Sequence, residues 1–346
     1  MTARVVAALA AVAAACAGCG AGAGLHIENG GRTVRPHQVA PPSPPPTTHA
    51  HRPPSPGVHL GGPAVIAYDS GTLWCAVQPG AGLLGSLIAV DTTTGRRVGG
   101  PVPLPPAGRP YLLAVGADGV WLAAGVRLWR VDPTSGQAAL LHRLAGPATA
   151  ILDTGGSVWA TVQAPGGGRL VRLDPGSGSA TAQAPLGPSP SALTVAGGSA
   201  WVTDSADQSI ERFTVSRNAL RPAATITLPR SSVRAPTQIT VFGGFVWVYE
   251  RGRVLRIGES SDRVLGTTRV AAVPGGTIAA GSGGIWVITR SRVHDRGAVR
   301  LLDASDGLPA GHRIVVGGRP TALATDGRSA WVLDSAADRL IRVFPD

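Results

Sequence analysis

The phrase GRSAWVLD, at Gly327 to Asp334, contains the unit from which most of the chain is built: a glycine turn, a small residue, a tryptophan and alternating apolar residues. The unit occurs seven times, and successive tryptophans are separated by 47, 38, 42, 46, 39 and 45 residues. Self-similarity with a period of about 40 to 45 residues is typical of repeat architectures built from four-stranded blades. The seven tryptophans are Trp74, Trp121, Trp159, Trp201, Trp247, Trp286 and Trp331.

Each unit is predicted to contain four strands, which we call A, B, C and D in chain order. The last unit, PTALATDGRSAWVLDSAADRLIRV from Pro320 to Val343, shows an alternating strand A, a glycine turn, the tryptophan strand B, a polar loop and strand C. Strand D follows a hairpin whose best copies are VDPTSG at Val131 to Gly136 and LDPGSG at Leu173 to Gly178. In these hairpins Asp accepts backbone hydrogen bonds, Pro presets a type I turn and Gly supplies a positive φ.

The two ends of the repeat region predict how the ring closes. The seventh unit stops after its strand C, at Arg339 to Val343, whereas GVHLGGP at Gly57 to Pro63 resembles a strand D and its link, RIVVGGRP at Arg313 to Pro320. We therefore expect Val58 to Leu60 to pair with the last strand C, which removes the open edge between first and last blades. The predicted fold is an all-β, seven-bladed β-propeller of four-stranded blades.

The first residues predict export. Arg4 is followed by a short apolar run from Val5 to Ala15 and by CAGC at 16 to 19, which is the order of an export signal. CAGC resembles the end of a bacterial lipoprotein signal, in which Cys19 would be lipidated. Cys16 is a second candidate for lipidation, and plain secretion is the alternative.

Three segments follow from this pattern: a signal at residues 1–19, a proline-rich disordered tether at 20–56 and the propeller at 57–346. The expected location is the outer face of the cell membrane. After cleavage at Cys19 one thiol remains, that of Cys75, and its place beside Trp74 predicts a small buried residue.

The seven tryptophan strands with their DPxxG hairpins, over residues 57 to 346, resemble the seven-bladed propellers of the YVTN or YncE-like group and of the streptogramin-lyase-like group. Streptogramin lyases use histidine and acidic residues with a magnesium ion at the channel mouth, so resemblance to them implies a metal-dependent enzyme as an alternative. In this chain His294 is the propeller histidine predicted on a loop suited to such chemistry.

Sequence motifs of other enzyme classes are missing. The chain contains no P-loop, no H-E-x-x-H pair and no G-x-S-x-G elbow. Carboxylates near the end of strand A, at Asp69, Asp153 and Asp326, are possible metal ligands, but turn capping explains them as well. We therefore predict no catalytic residue, no metal site and no cofactor.

The net charge of +11 is spread unevenly. All 31 basic residues are Arg, a bias that a GC-rich genome explains, and the interval from Arg212 to Arg300 holds 14 Arg against 4 acidic residues. The loops that join D to A and B to C emerge on one face of a propeller and gather around the channel mouth. The candidate ligand-binding residues on that face are Arg230, Arg234, Glu250, Arg251, Arg253, Arg290, Arg292, His294 and Arg319.

Guanidinium groups hold carboxylates and phosphates in bidentate pairs, so this face predicts an anionic cell-envelope polymer, lipid head groups or an acidic protein as partner. A solvated surface that reflects genome composition is the alternative. A nucleic-acid partner is disfavoured, since the chain is predicted to be exported and its basic interval lacks interleaved aromatic residues.

The sequence thus predicts a monomeric binding or scaffold module at the cell envelope, in contact with the membrane through its lipid anchor. A streptogramin-lyase-like or other metal-dependent propeller enzyme and a sensor-like ligand-recognition domain are the alternatives.

Overall fold

The computed structural model describes residues 57–62, 64–78, 84–106, 110–229, 236–250, 252–272, 277–281, 283–290 and 296–345. These residues form seven antiparallel sheets of four strands each, in which strands A, B, C and D are neighbours in that order. The predicted seven-bladed, all-β fold is confirmed. The predicted signal with Cys16 and Cys19, and the predicted tether, lie outside the described residues. Within the described ranges, no helix has the length and apolar character needed to cross a membrane.

The first four blades each use four consecutive strands, with strand A innermost and lining the ring. Blade 1 contains β2 (Ala64–Asp69), β3 (Thr72–Val77), β4 (Ser86–Asp91) and β5 (Arg96–Pro103). Blade 2 contains β6 (Leu112–Gly116), β7 (Gly119–Ala124), β8 (Arg127–Asp132) and β9 (Gln137–Arg143). Blade 3 contains β10 (Ala148–Thr154), β11 (Ser157–Ala164), β12 (Gly167–Leu173) and β13 (Ala180–Leu186). Blade 4 contains β14 (Pro190–Ala196), β15 (Ser199–Asp204), β16 (Ser209–Val215) and β17 (Leu220–Thr227).

The last three blades follow the same order, except that the seventh takes its outer strand from the other end of the repeat region. Blade 5 contains β18 (Pro236–Phe242), β19 (Phe245–Glu250), β20 (Arg253–Gly258) and β21 (Val264–Arg269). Blade 6 contains β22 (Ile278–Gly281), β23 (Gly284–Arg290), β24 (Gly297–Leu302) and β25 (Pro309–Gly317). Blade 7 contains β26 (Pro320–Thr325), β27 (Ala330–Asp334), β28 (Arg339–Val343) and β1 (Val58–His59).

The pairing of β1 with β28 closes the ring as predicted. Val58 stands opposite Leu340 and His59 opposite Arg339, in antiparallel register. The first strand therefore supplies the strand D that the seventh unit lacks, and blade 7 reaches the same four-stranded width as the others. An unpaired outer strand at this seam would have exposed a row of backbone donors and acceptors.

Side chains reinforce this seam on both sides. The carboxylate of Asp338, in the loop before β28, accepts hydrogen bonds from the N–H groups of Gly61 and Gly62 at 2.7 and 2.8 Å. Arg97 of blade 1 donates to the carbonyl of His59. The closing strand is thus held by blade 7 and by blade 1 together.

The repeat tryptophans lie between adjacent blades, as predicted. Six of the seven are at most 3% exposed, and Trp74 is half-buried. Trp201 of blade 4 shares an apolar cluster with Val246 of blade 5, and Trp331 of blade 7 shares one with Leu73 of blade 1. Truncating such a buried ring to alanine typically costs about 3 to 5 kcal/mol. These rings are therefore a main source of cohesion between blades.

The hairpins between strands C and D adopt the predicted turn chemistry. In blade 2, Gly136 has a φ of 72°, its N–H donates to the Asp132 carbonyl at 2.9 Å, and the Asp132 carboxylate accepts the Thr134 N–H at 2.8 Å. In blade 3, Gly178 has a φ of 68° and donates to the Asp174 carbonyl at 2.8 Å. A side chain would be strained at either glycine.

Candidate functional site

A cavity of about 330 Å³ lies at the centre of the ring. It is lined by residues of all seven blades, near the start of each strand A, on the side of the D-to-A and B-to-C connections. The lining combines apolar side chains, such as Ile66, Leu113 and Leu323, with polar ones such as Ser191 and Gln238. None of the described residues that line it is charged. The floor of the predicted binding face is thus concave and neutral.

β-bulges place most of the hydroxyl groups near this cavity. In blades 3, 4, 5 and 7 the register of strand A against strand B shifts by one residue near the start of strand A. A bulge turns a side chain away from the direction that the pleat would give it. The bulged residues are Thr149, Ser191, Thr237 and Thr321, and all of them except Thr237 line the cavity.

Two of these hydroxyl groups already have side-chain partners. The hydroxyls of Thr149 and Thr161 lie 2.8 Å apart in blade 3, and those of Ser191 and Thr203 lie 2.8 Å apart in blade 4. In blade 7 the corresponding strand B position is Leu333, which offers no hydroxyl to the bulged threonine. On the side of blades 3 and 4, the hydroxyl groups at the cavity are therefore held by hydrogen bonds within their own blade.

Three carboxylates end strand B on this face, and all three are at most 2% exposed. They are Asp204, Glu250 and Asp334. Asp204 accepts the N–H groups of Ser189 and Asp207, each at 2.9 Å, and Asp334 accepts the Arg319 N–H at 2.8 Å. Each of these two aspartates therefore ties the residue before its strand A to strand B, and each also accepts an N–H from its own B-to-C loop.

The four described candidate ligand-binding residues lie at strand ends or in a loop of this face: Glu250, Arg253, Arg290 and Arg319. Glu250 and Arg253 form an ion pair, and Arg253 also donates to the Pro229 carbonyl at 2.9 Å. The side chain of Arg253 is only 13% exposed, whereas Arg319 is exposed and Arg290, at the end of β23, is half-buried. The structure thus brings Glu250 and Arg253 together. Five predicted residues lie outside the described part of the chain: Arg230, Arg234, Arg251, Arg292 and His294.

The opposite face carries a repeated arrangement that the sequence pattern did not predict. In five blades an arginine on strand C stands directly across from the repeat tryptophan. In four of them the guanidinium carbon lies 4.9 to 5.6 Å from the centre of the indole ring, which is a cation–π contact. The five arginines are Arg130, Arg172, Arg212, Arg256 and Arg342.

In blades 3, 4 and 7 this arginine also joins its blade to the next one. Arg342 donates from Nε to the hydroxyl of Ser329, two residues before the tryptophan, at 2.7 Å, and from Nη1 to the Thr92 carbonyl of blade 1 at 2.5 Å. Arg212 of blade 4 forms an ion pair with Asp262 of blade 5 at 3.1 Å. We call this combination of stacked tryptophan, serine acceptor and contact with the next hairpin the arginine clasp.

The strand A carboxylates that were considered as metal ligands have structural contacts. Asp326 pairs with Arg342 at 2.9 Å, and Asp153 accepts the indole N–H of Trp121 from blade 2 at 2.9 Å. Asp69 accepts a hydrogen bond from the neighbouring serine hydroxyl at 3.0 Å. In the described ranges, no three His, Cys, Asp or Glu side chains are grouped so that they could hold a metal ion.

The pKa values of the buried carboxyls of Asp153 and Asp326 are shifted in opposite directions. Burial raises the pKa of Asp153 to about 6; the Trp121 hydrogen bond opposes this rise and the nearby Asp118 carboxylate adds to it. One oxygen of Asp153 and one of Asp118 are buried without a hydrogen-bond partner in the described part of the chain. Burial also acts to raise the pKa of Asp326, but hydrogen bonds from Ser329 and from the turn backbone outweigh it and lower that pKa.

Cys75 and the histidines do not form a reactive group on the described face. Cys75 is fully buried, as predicted, and burial raises the pKa of its thiol to about 12. His59 lies in β1, His142 in β9 and His312 in β25, all in outer strands. His294, the loop histidine that the lyase alternative requires, lies outside the described residues.

Comparison with known proteins shows the fold and no family. No family model and no curated protein matches the chain. Among solved structures, BamB from Moraxella catarrhalis is 14% identical with a TM-score of 0.55, over 85% of this chain and 99% of that chain. A chain of the mitotic checkpoint complex is 10% identical with a TM-score of 0.66, over 91% and 99%. The WD40 β-propeller domain of Doa1 is 14% identical with a TM-score of 0.62, over 83% and 95%. At these identities the similarity shows a shared β-propeller fold.

Proposed function

We propose that the protein is a non-catalytic binding or scaffold module whose D-to-A and B-to-C face receives an anionic or protein partner. The observation that carries this proposal is the unequal exposure of charge on that face. The carboxylates of Asp204, Glu250 and Asp334 are buried at the ends of strand B. Among the described residues in the loops and strand ends of this face, the exposed charged ones are one carboxylate, Asp207, and several arginines: Arg127, Arg143, Arg269, Arg296 and Arg319. A partner that approaches this face therefore meets guanidinium groups and backbone more than carboxylates, which favours an anion.

The central cavity supports binding on the same face. At about 330 Å³ it lies at the small end of the range of roughly 300 to 1,000 Å³ typical of ligand pockets. Most of its lining side chains are apolar, but polar atoms make up more than half of its exposed wall, so an inserted group would find both apolar contacts and hydrogen-bond partners. We infer that one side chain of the partner enters the cavity while the rim binds its charge.

Structural neighbours support a protein partner at the level of fold. One of them is a chain of the mitotic checkpoint complex, so there the fold serves within a complex of proteins. We keep the resemblance to YVTN or YncE-like propellers as part of this proposal, because the glycine turns and DPxxG hairpins that carry it are formed as expected.

The proposed face is tested by binding of the full chain to immobilised polyglutamate, a carboxylate polymer, at low and high salt. We expect binding that weakens with salt and falls about tenfold in the double variant Arg290→Glu, Arg319→Glu. The matched control is Arg217→Glu, Arg221→Glu, which changes the charge equally at two exposed sites in and beside the C-to-D hairpin of blade 4, toward the opposite face. Equal losses in both double variants, or wild-type binding that salt does not affect, would contradict the proposal.

The proposed location is the outer face of the cell membrane, with the lipid on Cys19 and residues 20–56 as the tether. CAGC at 16 to 19 supports this, since small residues before a cysteine are typical of lipoprotein processing. We expect Cys19→Ala to release the protein into the medium and Cys16→Ala to leave it on the membrane, as measured by fractionation. Membrane retention of both variants would argue against a lipid anchor at CAGC.

A further inference from the structure

Three arginines with buried, unpartnered nitrogens face the crevice between blades 5 and 6. Val254 of β20 and Leu302 of β24 belong to the apolar cluster that joins these blades. Residues two apart on a strand share a face, so Arg256 and Arg300 point into the same crevice. The guanidinium of Arg256 also lies 4.7 Å from the ring centre of Phe245, which packs against that cluster.

A bulge brings Arg313 of β25 to the same place. The register of β24 against β25 shifts between Val299 and Leu301, and Gly311 in the bulge has a φ of 64°. Ile314 packs into the cluster shared with blade 7, so its neighbour Arg313 points the other way, toward blade 5. Desolvation, and then the charge of Arg313, lower the pKa of Arg300, as expected for like charges held close together.

These guanidinium groups lack the partners that similar arginines have elsewhere. Nε of Arg256, Arg300 and Arg313, and Nη1 of Arg256, are buried without a hydrogen-bond acceptor in the described part of the chain. In the arginine clasp a serine two residues before the tryptophan accepts Nε, but in blade 5 that position is Phe245. Blade 5 therefore cannot complete the clasp.

The two acids in the C-to-D hairpin of blade 6 are engaged with their own turn. The Asp303 carboxylate accepts hydrogen bonds from Ser305, and that of Asp306 accepts the Leu308 N–H at 2.7 Å. Neither forms an ion pair with the crevice arginines in the described residues. Within the described ranges, the crevice thus holds three positive charges with open donors and no ion-pair partner.

We propose that the crevice between blades 5 and 6 binds a phosphoryl group, with Arg300 and Arg313 as the guanidinium fork and Arg256 on the inner wall. Guanidinium groups match phosphate oxygens in bidentate geometry, and an uncompensated set of three favours a dianion over a carboxylate. The site lies on the outer strands C and D, apart from the central cavity. It therefore does not depend on the proposed function of the D-to-A and B-to-C face.

The test is titration of the full chain with inorganic phosphate by calorimetry, at constant ionic strength set with chloride. We expect saturable binding that weakens at least about tenfold in Arg300→Gln, Arg313→Gln. The control Arg217→Gln, Arg221→Gln removes the same charge from blade 4 and should bind as the wild type does. Equal phosphate affinity in the two double variants, or no saturable binding by the wild type, would overturn the proposal.

A second variant separates charge from geometry. Arg300→Lys, Arg313→Lys keeps both charges but loses the forks, so its affinity should lie between those of wild type and the Gln variant. If the Gln variant does not fold, the Lys variant still tests the proposal. A phosphate affinity of the Lys variant equal to that of wild type would then contradict bidentate binding by Arg300 and Arg313. The double variant Arg290→Glu, Arg319→Glu, which tests the D-to-A and B-to-C face, should retain phosphate binding.

The source of the phosphoryl group is distinguished by vesicles that contain phosphatidylglycerol in a neutral lipid background. Co-sedimentation that is lost in Arg300→Gln, Arg313→Gln and kept in the blade 4 control would support a lipid head group. Phosphate binding without co-sedimentation would support a free or polymeric phosphate at the same site. Loss of neither signal in the Gln variant would overturn the site.

Discussion

Replacing Asp153 with Asn is expected to stabilise the protein at neutral pH. This carboxyl is 7% exposed, accepts the Trp121 indole N–H across the boundary between blades 2 and 3, and has a second oxygen without a partner in the described residues. An asparagine keeps an oxygen acceptor for the indole and carries no charge. The substitution therefore removes the desolvation of a carboxylate and its repulsion from Asp118, while the hydrogen bond between the blades remains.

The magnitude follows from the pKa of Asp153, which is raised from 3.8 to about 6. Each unit corresponds to about 1.4 kcal/mol, so the ionised carboxylate disfavours folding by about 3 kcal/mol. Because the folded pKa lies above the unfolded one, the stabilising contribution of the protonated carboxyl is complete below about pH 4 and is lost as pH rises through about 6. The advantage of Asp153→Asn should grow from near zero at about pH 4 to about 3 kcal/mol at about pH 7.5.

The assay is chemical denaturation followed by circular dichroism, across this pH range, for wild type and variant. Asp326→Asn is the matched control, since its carboxyl has a lowered pKa and pairs with Arg342. It should destabilise at neutral pH, and its effect should shrink only below about pH 4. A loss of stability in Asp153→Asn at neutral pH, or an effect that does not change with pH, would contradict a raised pKa of Asp153.

Two further predictions concern the ring seam and the buried thiol. Arg342→Gln removes the arginine clasp between blades 7 and 1 and should lower the free energy of unfolding by about 1 to 3 kcal/mol in urea titrations. Arg130 of blade 2 stacks on Trp121 and donates to the Asp118 carbonyl, but it has no serine acceptor and no ion pair. Arg130→Gln should therefore lower the free energy of unfolding less, by about 1 kcal/mol. An equal loss of stability in the two variants would argue against the clasp. Cys75 should resist a thiol reagent near pH 8 until the protein unfolds, because burial raises its pKa to about 12. Rapid labelling of Cys75 in the native protein, detected by peptide mapping, would contradict this.

Blade number and ring closure were predictable because they depend on patterns that stay constant along the chain. The tryptophan of strand B has apolar neighbours on both sides in each copy, and the segment at Gly57 to Pro63 resembles a strand D closely enough to show where it belongs. Both are properties of short segments. Neither depends on the register between neighbouring strands.

The arginine clasp could not be found in this way. From tryptophan to arginine the chain counts 9, 13, 11, 9 and 11 residues in blades 2, 3, 4, 5 and 7, because the B-to-C loops differ in length. Only the register of strand B against strand C places each arginine over its ring. Arg212 and Arg256, counted in the sequence as part of a basic interval, are thereby explained by packing and by the incomplete clasp of blade 5.

The candidate site could be predicted only in part, because it too depends on the register between strands. From the sequence, Glu250 is predicted to be a loop acid among arginines. In the structure it pairs with the first residue of strand A, as Asp204 and Asp334 do, and like them it ends strand B and is buried. The hydroxyl groups at the cavity depend on bulges, whose positions follow from hydrogen-bond geometry that threonine and serine do not signal by themselves.

The closing strand also has a consequence for the order of folding. Gly61 and Asp338, which bond across the seam, are 277 residues apart, whereas the strands of a hairpin are joined by a few. Loop-closure entropy grows with the logarithm of length, so joining the seam costs about 3 kcal/mol more than closing a ten-residue hairpin. Blades are therefore expected to form before the ring does, and seam contacts to form late. Substitutions in β1 should then change the rate of unfolding far more than the rate of folding.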